Sequence, residues 1–166
     1  MARVVIVAGA HNSGKTTFIE KVIGILSSKG YKVAYIKHDP KGKAITDREG
    51  KDSWRVFRAG AQQVLVVSPD KLSLFISQRD CTLESVVGLL NVSKPDIILV
   101  EGFKNSGGFD KYEVIRKEEN RELMLIADTL LKGVITDYYP FKLTFDLNDP
   151  TEFAEFLEKN YIMGEK

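Results

Sequence analysis

Residues 9–17, GAHNSGKTT, concentrate groups that can hold a phosphate. Gly9, Gly14, Lys15 and Thr16 satisfy the spacing G-x-x-x-x-G-K-[ST], with an apolar run before it and a helical pattern after it. The spacing has a mechanical reason. Glycines let the backbone curl so that successive N–H groups point inward, the following helix aims its positive end at the same place, and Lys15 adds a full charge. His11, Asn12, Ser13 and Thr17 complete the loop, and the hydroxyl of Thr16 is a candidate magnesium ligand. A magnesium nucleotide also needs a carboxylate at a neighbouring strand end. Glu101, at the end of DIILVE, fills that role, against the plainer reading that it opens a solvated loop. Asp39, after YIKH, is the reserve candidate for a magnesium-bound water.

Such a loop works only if a rigid sheet positions it. Four apolar runs, RVVIVAG, KVAYIKH, QQVLVVS and DIILVEGF, are continuous rather than alternating, as in strands of a parallel sheet covered on both faces. Helical patterns lie between them: residues 16–28 ending at Gly30, residues 52–59 ending at Gly60, and TLESVVGLLN opening on a Thr82 cap. KLSLFIS, YEVIRK, LMLIAD and GVITD read as further strands, and DPTEFAEFLEKNYI as a closing amphipathic helix. The expectation is an α/β fold of the P-loop NTPase-like kind, doubly wound, with a largely parallel sheet and helices on both faces. A single nucleotide-binding domain over residues 1–166 is expected, with charged loops at residues 39–53 and 104–110.

Composition narrows the partners. With 24 lysines and arginines against 23 acidic residues the formal charge is +1, so no global field draws the chain to nucleic acid or an anionic membrane. The one cysteine, Cys81, has no partner for an internal disulfide, and no run approaches a membrane-spanning length; a cytoplasmic protein is expected.

Other charged residues carry two readings. In GKDSWRVFRAG, Asp52 or Ser53 suits a helix N-cap, with Trp54 and Phe57 inward and Arg55 and Arg58 outward; alternatively Lys51, Arg55 and Arg58 face an anion. Lys104 and Arg116 are open to the same choice. Guanine selection commonly uses N-K-x-D, which is absent; Asp137, ending GVITD, either accepts from the guanine edge or initiates a turn.

GAHNSGKTT, IKHD, GKDSWRVFRAGA, ILVEGFK and KYEVIRK, in that order, resemble the molybdopterin-guanine dinucleotide biosynthesis protein B (MobB) family across nearly the whole chain. The resemblance implies a GTP-binding adapter, a homodimer, that assists the molybdenum cofactor guanylyltransferase in attaching GMP to molybdopterin, with weak GTPase activity of its own. It implies GTP and Mg2+ as cofactors, and molybdopterin as a further ligand. It also implies roles for Lys37, His38, Asp47, Gly50, Lys51, Asp52 and Ser53 in the family's second loop. The chain departs from the family in KHDPKGKAITD, where lysines replace the histidines that follow KH, so His38 stands alone locally. The competing function is a small-molecule kinase moving a γ-phosphoryl group to a metabolite, which needs an acceptor-positioning carboxylate and an arginine-bearing lid.

Overall fold

The computed structural model describes residues 2–78, 81–138 and 141–164. In chain order the elements are β1 (Arg3–Gly9), α1 (Lys15–Ser28), β2 (Val33–Lys37), α2 (Asp52–Arg58), β3 (Gln63–Val67), β4 (Leu72–Ile76), α3 (Leu83–Leu90), β5 (Ile97–Glu101), β6 (Asp110–Ile115), β7 (Leu131–Thr136), β8 (Thr144–Asp146) and α4 (Thr151–Leu157). They fall into two compact units, Met1–His38 with Thr82–Lys166, and Asp39–Cys81.

The first unit carries a six-stranded sheet in the order β2-β5-β1-β6-β7-β8, every pair parallel. Strand alternation divides its core into two layers. Val5 and Val7 of β1 and Ile97 and Leu99 of β5 pack with Phe18, Ile19, Val22 and Leu26 of α1 and with Phe153 and Leu157 of α4. Ile6, Ala8, Ile98 and Val100 point the other way, onto Leu83 and Val87 of α3. A sheet with both faces covered explains why these strands read as unbroken apolar runs. An aromatic group closes the first layer: Phe145 and Phe153 lie 4.9 Å apart and Tyr112 and Phe153 5.1 Å, both edge-to-face. The expected doubly wound architecture is therefore present.

Local signals explain several boundaries. The Thr82 side chain accepts from Ser85 N at 3.3 Å and starts α3. Pro150 is the N-cap of α4, where its missing N–H is no loss.

The second unit holds α2 and an antiparallel hairpin of β3 and β4, pairing Leu65 with Leu74 and Val67 with Leu72. This corrects the placement of QQVLVVS, which is not a strand of the parallel sheet; continuous apolar character fits a buried parallel strand and an exposed hairpin equally well. Ser53 is no N-cap either, because its hydroxyl donates to Asp47 Oδ1 at 3.0 Å and Lys51 occupies the cap position. Trp54 and Phe57 are only partly buried. In the first unit LMLIAD is a series of turns, not a strand. Leu123 and Leu125 are buried there, but the backbone turns on bonds such as Asp128 N to Leu125 O at 2.8 Å.

Candidate functional site

In the order β2-β5-β1-β6 the chain winds outward from β1 in both directions, so the carboxyl end of β1 is the switch point where open α/β sheets take their ligands. The loop of residues 9–16 starts there. Gly14 is the N-cap of α1, left-handed at φ 90°, and no side chain caps the helix. The first-turn N–H groups are thus free of a protein cap at the helix's positive end. A side chain at Gly14 would meet more than backbone strain: a Cβ there would lie 2.7 Å from the Arg116 guanidinium. Ser13 is buried, while His11, Asn12, Thr16 and Thr17 are exposed. Lys15 folds back along the loop, its Nζ donating to Ala10 O and to Ser13 Oγ at 3.2 Å. Burial lowers its pKa, against the opposing pull of the Glu101 charge.

Glu101 is the centre of a cluster. In register, Lys37 of β2 stands beside Glu101, and Tyr35, two residues earlier, faces the same side. Glu101 Oε2 accepts from Thr16 Oγ1 at 2.7 Å and from Tyr35 Oη at 2.6 Å. Lys37 Nζ lies 3.3 Å from Glu101 Oε1 and 3.3 Å from Thr16 Oγ1. Burial alone would raise the carboxyl pKa; the donors from Tyr35, Thr16 and Lys37 outweigh it and hold Glu101 ionised. The same burial, with the bond to Glu101, pushes the Tyr35 phenol up. A buried carboxylate touching a threonine hydroxyl, already compensated by a cation, is a donor set of hard oxygens that fits magnesium. Tyr35 was not legible beforehand, since only the register opposite Glu101 reveals it.

The KH and EGF segments interlock. His38 N donates to Glu101 O at 2.9 Å, and Phe103 N donates to His38 Nδ1 at 3.4 Å. The two rings stack with centroids 4.0 Å apart. Gly102, at φ 94°, is required here because a Cβ would come within 2.9 Å of the His38 Cβ. His38 thus buttresses the strand end carrying Glu101. The Lys104 side chain is exposed, and its carbonyl accepts from buried Lys111 at 2.8 Å, which also pairs with Asp128.

On the other flank, Arg116 Nε donates to Ser13 O at 3.1 Å, which orients the Ser13–Gly14 peptide. Arg116 is itself held: its N–H donates to Glu119 Oε1 at 2.9 Å, Glu119 Oε2 accepts from Arg121, and Arg121 pairs at 2.5 Å with fully buried Glu113. Glu113 also accepts from Met124 N and Leu125 N, both at 2.9 Å. Neither Glu113 nor Arg121 carried a sequence signal, because a polar residue inside an apolar strand names no partner. Asp137 follows β7 at the same carboxyl edge, exposed, with Oδ1 accepting from Lys117 N at 2.9 Å.

The second unit contains the remaining expected residues. Asp39 accepts from Lys41 N at 3.3 Å and Ala44 N at 2.6 Å; these backbone donors, Ala44 foremost, lower its pKa. Its oxygens serve its own turn. Asp52 lies 3.7 Å from Arg55 one helical turn on, Arg58 sits over the Trp54 ring at 5.9 Å, and Lys51 is exposed.

A G-x-x-x-x-G-K-[ST] loop at the switch point of an all-parallel sheet is the arrangement of the P-loop NTPase-like class, and this fold is of that class. Comparison narrows it. A family model described as MobB, molybdopterin guanine dinucleotide synthesis protein B, matches residues 4–137. The chain belongs to the MobB family. A Haemophilus influenzae molybdopterin-guanine dinucleotide biosynthesis adapter protein is 30% identical over 156 residues, covering 92% of this chain and 85% of its own. The adapter protein of that name from Escherichia coli is 32% identical over 152 residues, covering 87% and 85%. Among solved structures, Bacillus subtilis MobB superposes with a TM-score of 0.76 at 29% identity, covering 98% of this chain and 99% of its own.

Proposed function

We propose that this chain is an adapter in molybdopterin guanine dinucleotide biosynthesis, binding GTP with magnesium at the carboxyl edge of its sheet. Family membership supports the pathway. The observation that carries the nucleotide site is the contact of Thr16 with buried Glu101, beside a lysine-bearing loop on a helix N-terminus. In this reading Thr16 and Glu101 hold the ion, which neutralises charge on the phosphates. Lys15 and the first-turn amides of α1 take the phosphates themselves, and Arg116 keeps the loop in shape behind them. Asp137 takes the guanine edge, its Oδ2 being the oxygen not bonded to Lys117 N.

The partner is the molybdenum cofactor guanylyltransferase, with molybdopterin passing between the two, and the compartment is the cytoplasm. No helix among the described residues is long and apolar enough to cross a membrane. The working form is a homodimer. Leu65, Val67, Leu72 and Leu74 form one face of the hairpin by register and are 54%, 70%, 67% and 52% exposed, an apolar patch suited to a second copy. GTP turnover by the chain alone is slow, because a grip on the phosphates does not by itself place an attacking water.

The test is formation of molybdopterin guanine dinucleotide by the guanylyltransferase with limiting GTP. Wild-type chain is expected to raise the yield and Lys15→Ala to leave it at the level without adapter. Equal stimulation by both would separate the adapter role from the phosphate loop and overturn the reading.

A further inference from the structure

The pair of oxygens that suits magnesium already has a cation against it. Lys37 Nζ is 3.3 Å from Thr16 Oγ1 and 3.3 Å from Glu101 Oε1, touching both members of the pair. Its position is not accidental in the fold. Lys37 is the last residue of β2 and lies in register beside Glu101, so the pleat directs both side chains to the face that carries α1 and Thr16. Tyr35 adds a neutral donor to the other carboxylate oxygen and leaves Oε1 to the lysine. The Lys37 side chain is half exposed, so its ammonium can leave for solvent or for a nearby anion at modest cost.

We propose that Lys37 is a tethered counter-ion of the metal position: a divalent ion must displace its ammonium from Thr16 and Glu101 to bind. This rests on the reading of the carboxyl edge as a magnesium nucleotide site. Two consequences follow from charge. Without divalent ion, Lys37 neutralises Glu101 and lets the site accept an anionic nucleotide that a bare carboxylate would repel. With divalent ion, the displaced ammonium adds its charge to that of Lys15 toward the same phosphates. Magnesium and Lys37 are therefore alternative occupants, and the magnesium requirement for nucleotide binding is set by the difference between them.

The experiment is calorimetric titration of GTP into wild type, Lys37→Met and Lys37→Arg, in EDTA and at graded MgCl2. In Lys37→Met the magnesium concentration giving half-maximal affinity is expected to fall roughly two- to fivefold, the span that partly exposed ion pairs contribute. Affinity in EDTA is expected to drop by a similar factor, and Lys37→Arg, which keeps the charge, to follow wild type. A simple loss of affinity at every magnesium concentration, with the half-point unmoved, overturns the proposal while leaving the nucleotide site intact. Wild type that binds no GTP at any magnesium concentration overturns the nucleotide site, and the role of Lys37 with it. Because Lys37 is half exposed, neither substitution empties a core position, and circular dichroism matching wild type checks that both variants are folded.

Discussion

The carboxyl edge of the parallel sheet and the hairpin of the Asp39–Cys81 unit treat their side chains in opposite ways. At the edge, polar groups are buried and fully engaged: Glu101 is 7% exposed and accepts from Thr16, Tyr35 and Lys37, and Glu113 is wholly buried beneath Arg121. In the hairpin, apolar groups stand in water, Val67 and Leu72 at 70% and 67% exposed. The first arrangement fixes a geometry, since the buried Glu101 and Glu113 carboxylates are answered within the fold. The second leaves surface that gains only when something covers it, and a lone two-stranded hairpin has little stability of its own to draw on.

The largest expected effect breaks the first region. Glu113→Ala removes the buried carboxylate that Arg121, Met124 N and Leu125 N share, leaving the two backbone N–H groups without that acceptor and Arg121 with only Glu119 and the carbonyls of Glu122 and Val114. Unfolding in urea is expected to show a loss of about 3 kcal/mol or more, as for a buried pair deprived of one partner. A change below about 0.5 kcal/mol, the level of an ordinary surface substitution, would mean that this network does not secure the β6 flank of the phosphate loop. The smallest effect on stability sharpens the other side. Leu72→Lys with Leu74→Lys is expected to leave the urea midpoint within about 0.5 kcal/mol of wild type for the dissociated chain. Sedimentation should nonetheless shift from dimer to monomer. A dimer that survives both charges would assign the hairpin face to a different partner.

The same contrast explains what the residues revealed in advance. The turn at Gly9–Gly14 ahead of α1 and the strand-end position of Glu101 were legible because each depends on local order: glycines, lysine and hydroxyl at fixed spacing, and a charge ending an apolar run. Tyr35, Arg121 and Glu113 were not, because Tyr35 meets Glu101 only through strand register, and Arg121 reaches Glu113 from an irregular segment where no helical or strand period relates the two. QQVLVVS was misplaced for a related reason. Its composition fits burial, yet among the described residues β3 pairs only with β4, and Leu65, Val66 and Val67 stay exposed. LMLIAD failed as a strand because Leu123 and Leu125 reach the core from a turn.

The interlock of His38, Gly102 and Phe103 shows how a family motif can be structural and still serve the site. His38 stacks on Phe103 and its backbone donates to the Glu101 carbonyl, so the histidine sets where the carboxylate sits without having to touch a ligand. The lysines that follow it, Lys41 and Lys43, belong to the other unit, where Asp39 accepts from Lys41 N and Ala44 N.

The central claim, that the carboxyl edge is a grip for magnesium GTP, is tested most directly by calorimetric titration of GTP and of ATP at saturating magnesium, with Lys15→Ala and Asp137→Ala beside wild type. Wild type is expected to prefer GTP, Lys15→Ala to bind at least about tenfold more weakly through loss of a charged phosphate contact, and Asp137→Ala to lose the preference between bases. Equal affinity for both nucleotides in wild type would remove the guanine assignment, and unchanged affinity in Lys15→Ala would contradict the phosphate site itself.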